Sequence, residues 1–164
     1  MQFSNIPGFF PTPDAVIDKM IDLAELEKDH TVLEPNLGSC AIADRIAELS
    51  IHCEGYEVNY TLAEICEAKG FLIERCDFLT VQPVKLYDRI IMNPPFEKLQ
   101  SISHIKHAMK FLLPGGKLVA ICAGGAREEK ELQPLCDSWE VLPAGSFKES
   151  GTGVGTVLLS ISAA

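Results

Sequence analysis

The chain has 164 residues, 47% of them hydrophobic, so it is long enough for one globular domain and too short for a second of ordinary size. Its formal net charge of −9 argues against generic binding of nucleic acid, which needs lysine and arginine to neutralise phosphates. No apolar run approaches the ~18 residues of a membrane span, and residues 1–14 lack the basic and long apolar stretches of a signal peptide, so we expect a cytoplasmic protein without membrane contact.

The spacing of cysteine and histidine gives no sign of a metal site. Six cysteines are scattered without a C-x-x-C pair, and the four histidines add no ligand spacing. We therefore expect neither a disulfide framework nor bound zinc, but reduced thiols in the core.

The charge is distributed unevenly along the chain. Residues 98–127 contain no acidic residue and carry five basic ones, Lys98, Lys106, Lys110, Lys117 and Arg127. A solvated helix face is the ordinary explanation for such a stretch, and a surface that contacts nucleic acid is the alternative.

Hydrophobic periodicity predicts helices and strands that alternate along the chain. Helical spacing covers residues 14–27, 39–49, 61–70 and 99–113, and a charged helix is predicted near residues 127–136. Strands are predicted at residues 31–35, 51–58, 71–76, 87–92 and 117–123. Two further strands, within residues 139–147 and 154–162, are joined by a glycine-rich turn without room for a helix.

This order of elements predicts an α/β fold, in which helices flank a mostly parallel sheet with an antiparallel strand at its edge. Asp14 is expected at the N-cap of the first helix, and Gly70 just beyond the end of the third. In such a sheet, ligands bind beyond the carboxyl ends of the strands, so the segments that follow strands should carry the chemistry.

The loop after the first strand reads EPNLGSC, residues 34–40. Gly38 lies at the start of the next helix, whose first N–H groups have no partner within the helix and can bind a polar ligand. Only one glycine is present, and this argues against the G-x-G-x-x-G loop of a nicotinamide or flavin dinucleotide site. Glu34 places a carboxyl group at the strand end, where it suits a ligand with an ammonium group.

Acidic residues also follow the second and third strands. Glu57 lies 57 − 38 = 19 residues after Gly38, close to the spacing at which Rossmann-type domains place an acid on ribose hydroxyls. Asp77 could accept a hydrogen bond from an adenine amino group while Phe78 packs on the ring. A surface glutamate and a turn-capping aspartate are the structural alternatives.

The segment NPPF, residues 93–96, follows the most hydrophobic strand and is the most specific signal in the chain. Its prolines fix the backbone, remove two N–H donors and hold Asn93 extended. The result is a rigid rim that presents an amide side chain, backbone carbonyls and an aromatic face. Such a rim suits a planar group that carries an NH2, because acceptors bind its hydrogens and the ring stacks on its face.

Together these residues resemble the class I S-adenosylmethionine-dependent methyltransferases, in particular the amino-methylating branch of N6-adenine enzymes with an N/D-P-P-Y/F/W signature. The resemblance covers nearly the whole chain and implies a Rossmann-like fold with a seven-stranded sheet, a C-terminal antiparallel hairpin strand and helices on both faces. It implies one domain, residues 1–164, in which residues 1–30 form a helical segment that contacts the cofactor and residues 31–164 form the core.

The resemblance also implies the site. S-adenosyl-L-methionine would be the cofactor, bound by Phe10, Thr12, Pro13, Glu34, Pro35, Asn36, Gly38, Cys40, Glu57, Asp77, Phe78 and Asn93. The catalytic residues would be Asn93, Pro94, Pro95 and Phe96. The Asn93 side chain and the Pro94 carbonyl would hydrogen-bond an amino group and draw its nitrogen toward tetrahedral geometry, and Phe96 would stack on the flipped base.

Two positions depart from the family pattern, and the acceptor stays open. Cys40 stands where a second glycine is usual, and Leu37 where a small residue is usual. Adenine N6 in DNA or RNA is the expected acceptor, with protein glutamine N5 or guanine N2 as alternatives. A non-catalytic cofactor-binding or interaction subunit is the alternative of another class. Only SISAA follows the closing hairpin, so we expect a partner protein to supply specificity, or an acceptor other than duplex DNA.

Overall fold

The computed structural model describes residue 6 and residues 9–147 and 155–164, in which helices and strands alternate. The helices are α1 (Asp14–Ala24), α2 (Ala41–Glu48), α3 (Tyr60–Ala68), α4 (Gln100–Ala108) and α5 (Ala126–Leu132). The strands are β1 (Val32–Glu34), β2 (Cys53–Tyr56), β3 (Leu72–Glu74), β4 (Tyr87–Met92), β5 (Leu112–Ala123), β6 (Ser138–Val141) and β7 (Thr156–Ser162).

In the described residues, the strands form one seven-stranded sheet in the order β3-β2-β1-β4-β5-β7-β6. The first five strands are parallel to their neighbours, whereas β7 runs antiparallel to both β5 and β6. The predicted α/β fold with its antiparallel closing strand is confirmed. The strand order reverses at β1, which pairs with β2 on one side and β4 on the other, and this arrangement opens a crevice at their carboxyl ends.

The core lies on both faces of the sheet, because side chains of a strand alternate between its two faces. Ile91, Val119 and Ile121 belong to a buried cluster with α1 and α2, while Ile90 and Leu118 belong to a second cluster with α4. Central strands buried on both faces therefore read as continuous apolar runs.

Several element boundaries differ from the predictions. Pro13, not Asp14, is the N-cap of α1, so Asp14 is the first helical residue. The helix α4 ends at Ala108, before the end of the helical spacing predicted for residues 99–113, and the strand β5 already begins at Leu112. Gly70 has a φ of 87° just beyond α3, as predicted.

The predicted closing turn falls within residues 148–154, which lie outside the described residues. Among the helices that the structure describes, none has the length and apolar character that crossing a membrane requires.

Gly55 leaves room for the loop that follows β1. A Cβ atom at this position would lie 2.5 Å from Leu37 Cγ and 2.6 Å from the Glu34 carbonyl oxygen. We expect Gly55→Ala to lower the free energy of unfolding by about 1–3 kcal/mol, because the loop must shift. Urea denaturation measures this difference, and equal stability of the variant and the wild type would contradict the steric argument.

Gly155→Ala is the matched control for this prediction. Among the residues that the structure describes, no atom lies within 4 Å of a Cβ atom built at Gly155, and its φ is not in the left-handed region. Its free energy of unfolding should stay within about 0.5 kcal/mol of the wild-type value.

Candidate active site

A cavity of about 290 Å³ lies where the strand order reverses, and the loops after β1, β2, β3 and β4 line it together with residues 9–12. Nearly all the residues predicted to form the site line this one cavity. They are Phe10, Thr12, Glu34, Pro35, Asn36, Gly38, Glu57, Asp77, Phe78, Asn93, Pro94, Pro95 and Phe96. We refer to this cavity as the cleft.

Pro13 and Cys40 do not line the cleft. The Pro13 carbonyl accepts hydrogen bonds of 3.0 Å from the N–H groups of Val16 and Ile17, so this residue starts α1. Cys40 is buried, and a disulfide joins it to Cys66 of α3, with the two Cα atoms 6.0 Å apart. The expectation of reduced thiols is therefore wrong for this pair, because the start of α2 packs directly on α3.

The loop between β1 and α2 requires left-handed backbone at two positions. Gly38 has a φ of 55°, and a Cβ atom there would lie 2.6 Å from the Phe9 ring, so glycine allows residues 9–12 to pack on the loop. Cys40 has a φ of 67°, where a side chain costs about 1–2 kcal/mol. The residue that replaces the usual second glycine thus takes a glycine conformation.

The carboxylate of Glu57 holds two loops together. Its Oε2 atom accepts a hydrogen bond of 2.7 Å from the Gly38 N–H, and its Oε1 atom accepts one of 2.7 Å from the Asn59 N–H. The residue is 8% exposed, so it is not a surface glutamate. This anchored acid lies in the cleft wall where the sequence placed a ribose contact.

Glu34 is a buried acid in the same wall, with 1% of its surface exposed. Its Oε2 atom has no hydrogen-bond partner among the described residues. Burial raises the pKa of Glu34 well above its usual range, the Ala43 N–H opposes this rise, and the charges of Glu57 and Asp44 add to it. A cationic ligand beside Glu34 would favour its ionised form.

The side chain of Asn93 has a defined orientation. Its amide nitrogen donates hydrogen bonds to Thr12 Oγ1 at 2.9 Å and to the Phe10 carbonyl at 3.4 Å. The amide oxygen has no partner among the described residues and remains available as an acceptor, and Pro94 lines the same cleft. Sequence reasoning assigned Thr12 to the cofactor, whereas in the structure its hydroxyl contacts Asn93.

Phe96 completes the loop after β4. Its ring lies on the cleft and packs edge-on against Phe147, with centroids 6.3 Å apart. Lys98 and Leu99, which follow, both have left-handed backbone, with φ values of 52° and 61°. This tight turn redirects the chain from the loop into α4.

Asp77 and Phe78 belong to the segment after β3 and line the cleft there. Asp77 Oδ1 accepts a hydrogen bond of 2.9 Å from the Leu79 N–H and so caps the turn, as the structural alternative predicted. Phe78 packs 5.5 Å from the Tyr56 ring and 4.9 Å from the Phe111 ring. The aromatic cluster holds Phe78 in place while its edge borders the cleft.

Sequence reasoning missed a histidine in the cleft wall. His104 of α4 is 5% exposed, and its Nδ1 atom lies 3.1 Å from the amide nitrogen of Asn36. The available signal was its position beside Ile105 on the buried face of an amphipathic helix, where a polar side chain needs a partner.

The basic residues of the 98–127 stretch do not form one free basic face. Lys106 and Arg127 bind the carboxylate of Glu131, at 2.6 Å and 2.5 Å, and Lys117 binds Glu25 at 2.9 Å. Acidic residues from outside the stretch thus neutralise three of the five bases. Lys98, Lys106 and Arg127 border one shallow groove next to the NPPF loop.

No protein-family model matches the chain. Over 100 residues, 60% of the chain, it is 28% identical to the type II methyltransferase M.HincII of Haemophilus influenzae, and the match covers 19% of that protein. M.HindII of the same species matches equally over 18% of its length. The chain thus spans about a fifth of the length of these curated relatives.

Solved structures show the fold. An RNA methyltransferase from Salinibacter ruber in complex with S-adenosyl-L-homocysteine superposes with a TM-score of 0.66 and 15% identity, over 93% of this chain and 92% of that one. The M protein of the type I restriction enzyme EcoKI superposes with a TM-score of 0.72 and 17% identity, over 97% of this chain and 45% of that one. The chain has the fold of the class I S-adenosylmethionine-dependent methyltransferases, and the predicted fold class is confirmed.

The same fold also occurs in a [4+2]-cyclase. SpnF superposes with a TM-score of 0.72 and 15% identity, over 92% of this chain and 80% of that one. The reaction must therefore be argued from the residues of the cleft.

The raised pKa of Glu34 makes stability depend on pH. The pKa of Glu34 is higher in the folded state than in the unfolded state. The stability that Glu34 contributes to the fold is therefore complete at low pH and is lost as the pH rises through the raised pKa. Glu34→Gln cannot ionise, so its stability relative to the wild type should increase by ~1 kcal/mol or more between about pH 5 and about pH 8. Urea denaturation at both pH values measures this change.

Glu54→Gln serves as the control. Burial raises the pKa of Glu54, but hydrogen bonds from Lys85 and Tyr87 outweigh burial and lower the pKa overall. The stability that Glu54 contributes is lost only as the pH falls through its lowered pKa, so its substitution should have the same effect at both pH values. A Glu34→Gln difference that is likewise constant would contradict the prediction.

Proposed function

We propose that the chain is an S-adenosylmethionine-dependent methyltransferase that methylates an exocyclic amino nitrogen, with adenine N6 in DNA or RNA as the favoured acceptor. The observation that carries this proposal is the orientation of the Asn93 amide. Its nitrogen is bound to Thr12 and Phe10, so its oxygen and the Pro94 carbonyl are left as acceptors at the cleft. A pair of acceptors at a rigid rim fits a planar NH2 group.

The residues present fit the cofactor. The cleft contains two buried oxygen atoms without partners among the described residues, Glu34 Oε2 and Asn36 Oδ1, as expected of a site that receives a polar ligand. Glu34 suits the cationic part of S-adenosylmethionine, and Glu57, held by two backbone N–H groups, suits its ribose. Asp77 and Phe78 suit its adenine. When bound, S-adenosylmethionine supplies an electrophilic methyl group.

The chain's own residues would prepare the acceptor. An aromatic amine is a poor nucleophile because its lone pair is delocalised into the ring. Asn93 Oδ1 and the Pro94 carbonyl would each accept an amino hydrogen and draw the nitrogen toward tetrahedral geometry, and this change frees the lone pair. Phe96 would stack on the base. Neutral Asn93 suffices, since the proton can leave after the attack, and correct positioning can contribute effective molarities on the order of 10⁵ M.

The relatives support a nucleic-acid acceptor. M.HincII is a type II methyltransferase, and the solved structures include an RNA methyltransferase and the M protein of a type I restriction enzyme. Because the chain is acidic, and generic binding of nucleic acid needs basic residues, we propose that a partner protein supplies sequence recognition. In the groove that begins at Lys98, both Lys106 and Arg127 are paired with Glu131, so Lys98 is the base there that would meet a phosphate.

Two other functions share parts of this geometry. Protein glutamine N5 and guanine N2 are also planar amines, so the same acceptors fit them. Binding to nucleic acid should weaken steeply as the salt concentration rises, whereas binding to a protein loop should depend on salt much less. The alternative that is not an enzyme is a non-catalytic subunit, which would bind the cofactor without transferring its methyl group.

The decisive experiment compares the wild type with Asn93→Ala. Calorimetry first measures binding of S-adenosylmethionine, and tritiated methyl transfer is then followed into DNA, RNA and protein pools. We expect the wild type to label one nucleic-acid pool and Asn93→Ala to lose at least about a hundredfold in rate while it still binds the cofactor. Equal labelling by both proteins would refute the mechanism, and no binding by the wild type would refute the function.

Thr12→Val tests the role of the Thr12 hydroxyl. Valine keeps the shape of the side chain but removes the acceptor that orients the Asn93 amide. We expect kcat to fall about tenfold, with the cofactor dissociation constant unchanged, because the loss acts on the reacting amine. Thr12→Ser keeps a hydroxyl and should stay near wild type. A raised cofactor dissociation constant with unchanged kcat would instead place Thr12 on the cofactor.

A further inference from the structure

His104 is a buried polar side chain in the wall of the cleft, and the proposed catalytic steps do not use it. It lies on α4, on the same buried face as Ile105. Its ring is 6.3 Å from the Phe78 ring, centroid to centroid, with an angle of 36° between the planes. It therefore borders the part of the cleft that Phe78 lines.

The hydrogen bond to Asn36 fixes which ring nitrogen of His104 carries the proton. The amide nitrogen of Asn36 is a donor, so Nδ1 of His104, 3.1 Å away, accepts from it. In a neutral ring the hydrogen then lies on Nε2. Burial lowers the pKa of His104 by more than the Asp77 carboxylate raises it, and His107 lowers it further, so the neutral form is favoured.

The Nε2–H group has no hydrogen-bond partner among the described residues, and it is not one of the buried unpartnered atoms, so it is open to the cleft that His104 lines. The neighbouring His107 differs in this respect, because its Nε2 atom lies 3.0 Å from the Val81 carbonyl oxygen. The two histidines are one turn apart on α4. His104 lines the cleft, and its Nε2 atom has no partner among the described residues. A donor without a protein partner in the wall of a cleft is a place where a ligand acceptor can bind.

Asn36 offers a second free group at the same place. Its amide nitrogen is bound to His104, while its amide oxygen is buried and has no partner among the described residues. A donor on His104 and an acceptor on Asn36 thus both belong to the cleft wall that Phe78 also lines. A flat heterocycle with ring nitrogens and an exocyclic amino group presents the complementary pattern.

We propose that His104 is a specificity-determining residue that recognises the adenine ring of the cofactor, an inference that rests on the proposed function. Its Nε2–H donates to one of the adenine ring nitrogens, and Asn36 holds the tautomer that makes this donation possible. The Asn36–His104 pair binds the adenine of the cofactor, whereas Asn93 and Pro94 bind the amine of the acceptor.

Binding of deaza analogues tests the proposal without any methyl acceptor. Calorimetry compares S-adenosyl-L-homocysteine with its 1-deaza, 3-deaza and 7-deaza analogues, each of which replaces one ring nitrogen by CH. We expect the wild type to bind one of the three about tenfold more weakly, the value of one hydrogen bond. His104→Phe keeps the ring next to Phe78 but has no nitrogen, so it should bind S-adenosyl-L-homocysteine about tenfold more weakly and lose the discrimination.

His107→Phe is the matched control, because it makes the same change one turn away, at a side chain bonded to the backbone. It should retain the wild-type pattern across the analogues. If His104→Phe discriminates as the wild type does, or the wild type binds all four ligands equally, the proposal is overturned while the proposed function stands. If the wild type binds none of the four, both fall.

A measurement on the unmodified chain guards against a variant that does not fold. Long-range proton–nitrogen NMR spectra of the wild type report the tautomer of each histidine. We expect the His104 proton on Nε2, and its Nε2 signal should shift when S-adenosyl-L-homocysteine is added but not with the analogue that binds weakly. A proton on Nδ1 would overturn the proposal.

Discussion

The position of β1 between β2 and β4 is the constraint on which the candidate site depends. From β1 the chain continues to β2 on one side, and β4 later pairs on the other side, so the loops that leave these strands diverge. The crevice between them cannot be closed by the sheet itself. Residues 9–12 pack across it, against Gly38 and Asn93, and so turn an open groove into a walled cleft.

Much of this arrangement could be predicted from the sequence, because strand ends, turn residues and apolar periodicity are local signals. The acids Glu34, Glu57 and Asp77 were expected at strand ends, and the fold brings all three to one cavity. Contacts between segments distant in the chain could not be predicted. The bond from Asn93 to Thr12 spans 81 residues, and that between Asn36 and His104 spans 68, so no local pattern contains either of them.

The two departures from the family pattern have separate physical explanations. Leu37 is buried in the loop after β1, and its bulk is accommodated because the facing strand carries Gly55. The glycine inside β2 is therefore the partner of an unusually large loop residue. Cys40 instead keeps the left-handed backbone of a glycine, and its side chain points away from the cleft to Cys66.

The commitment of the Asn93 amide nitrogen to Thr12 and Phe10 has a consequence for the degree of modification. A rim that offers only acceptors, one on Asn93 and one on Pro94, is fully satisfied by an amine with two hydrogens. An amine that has already gained one methyl group has a single hydrogen and would leave one acceptor without a partner, which is costly in a closed site. Under the proposed function, this geometry favours release of the singly methylated product over a second transfer to the same nitrogen.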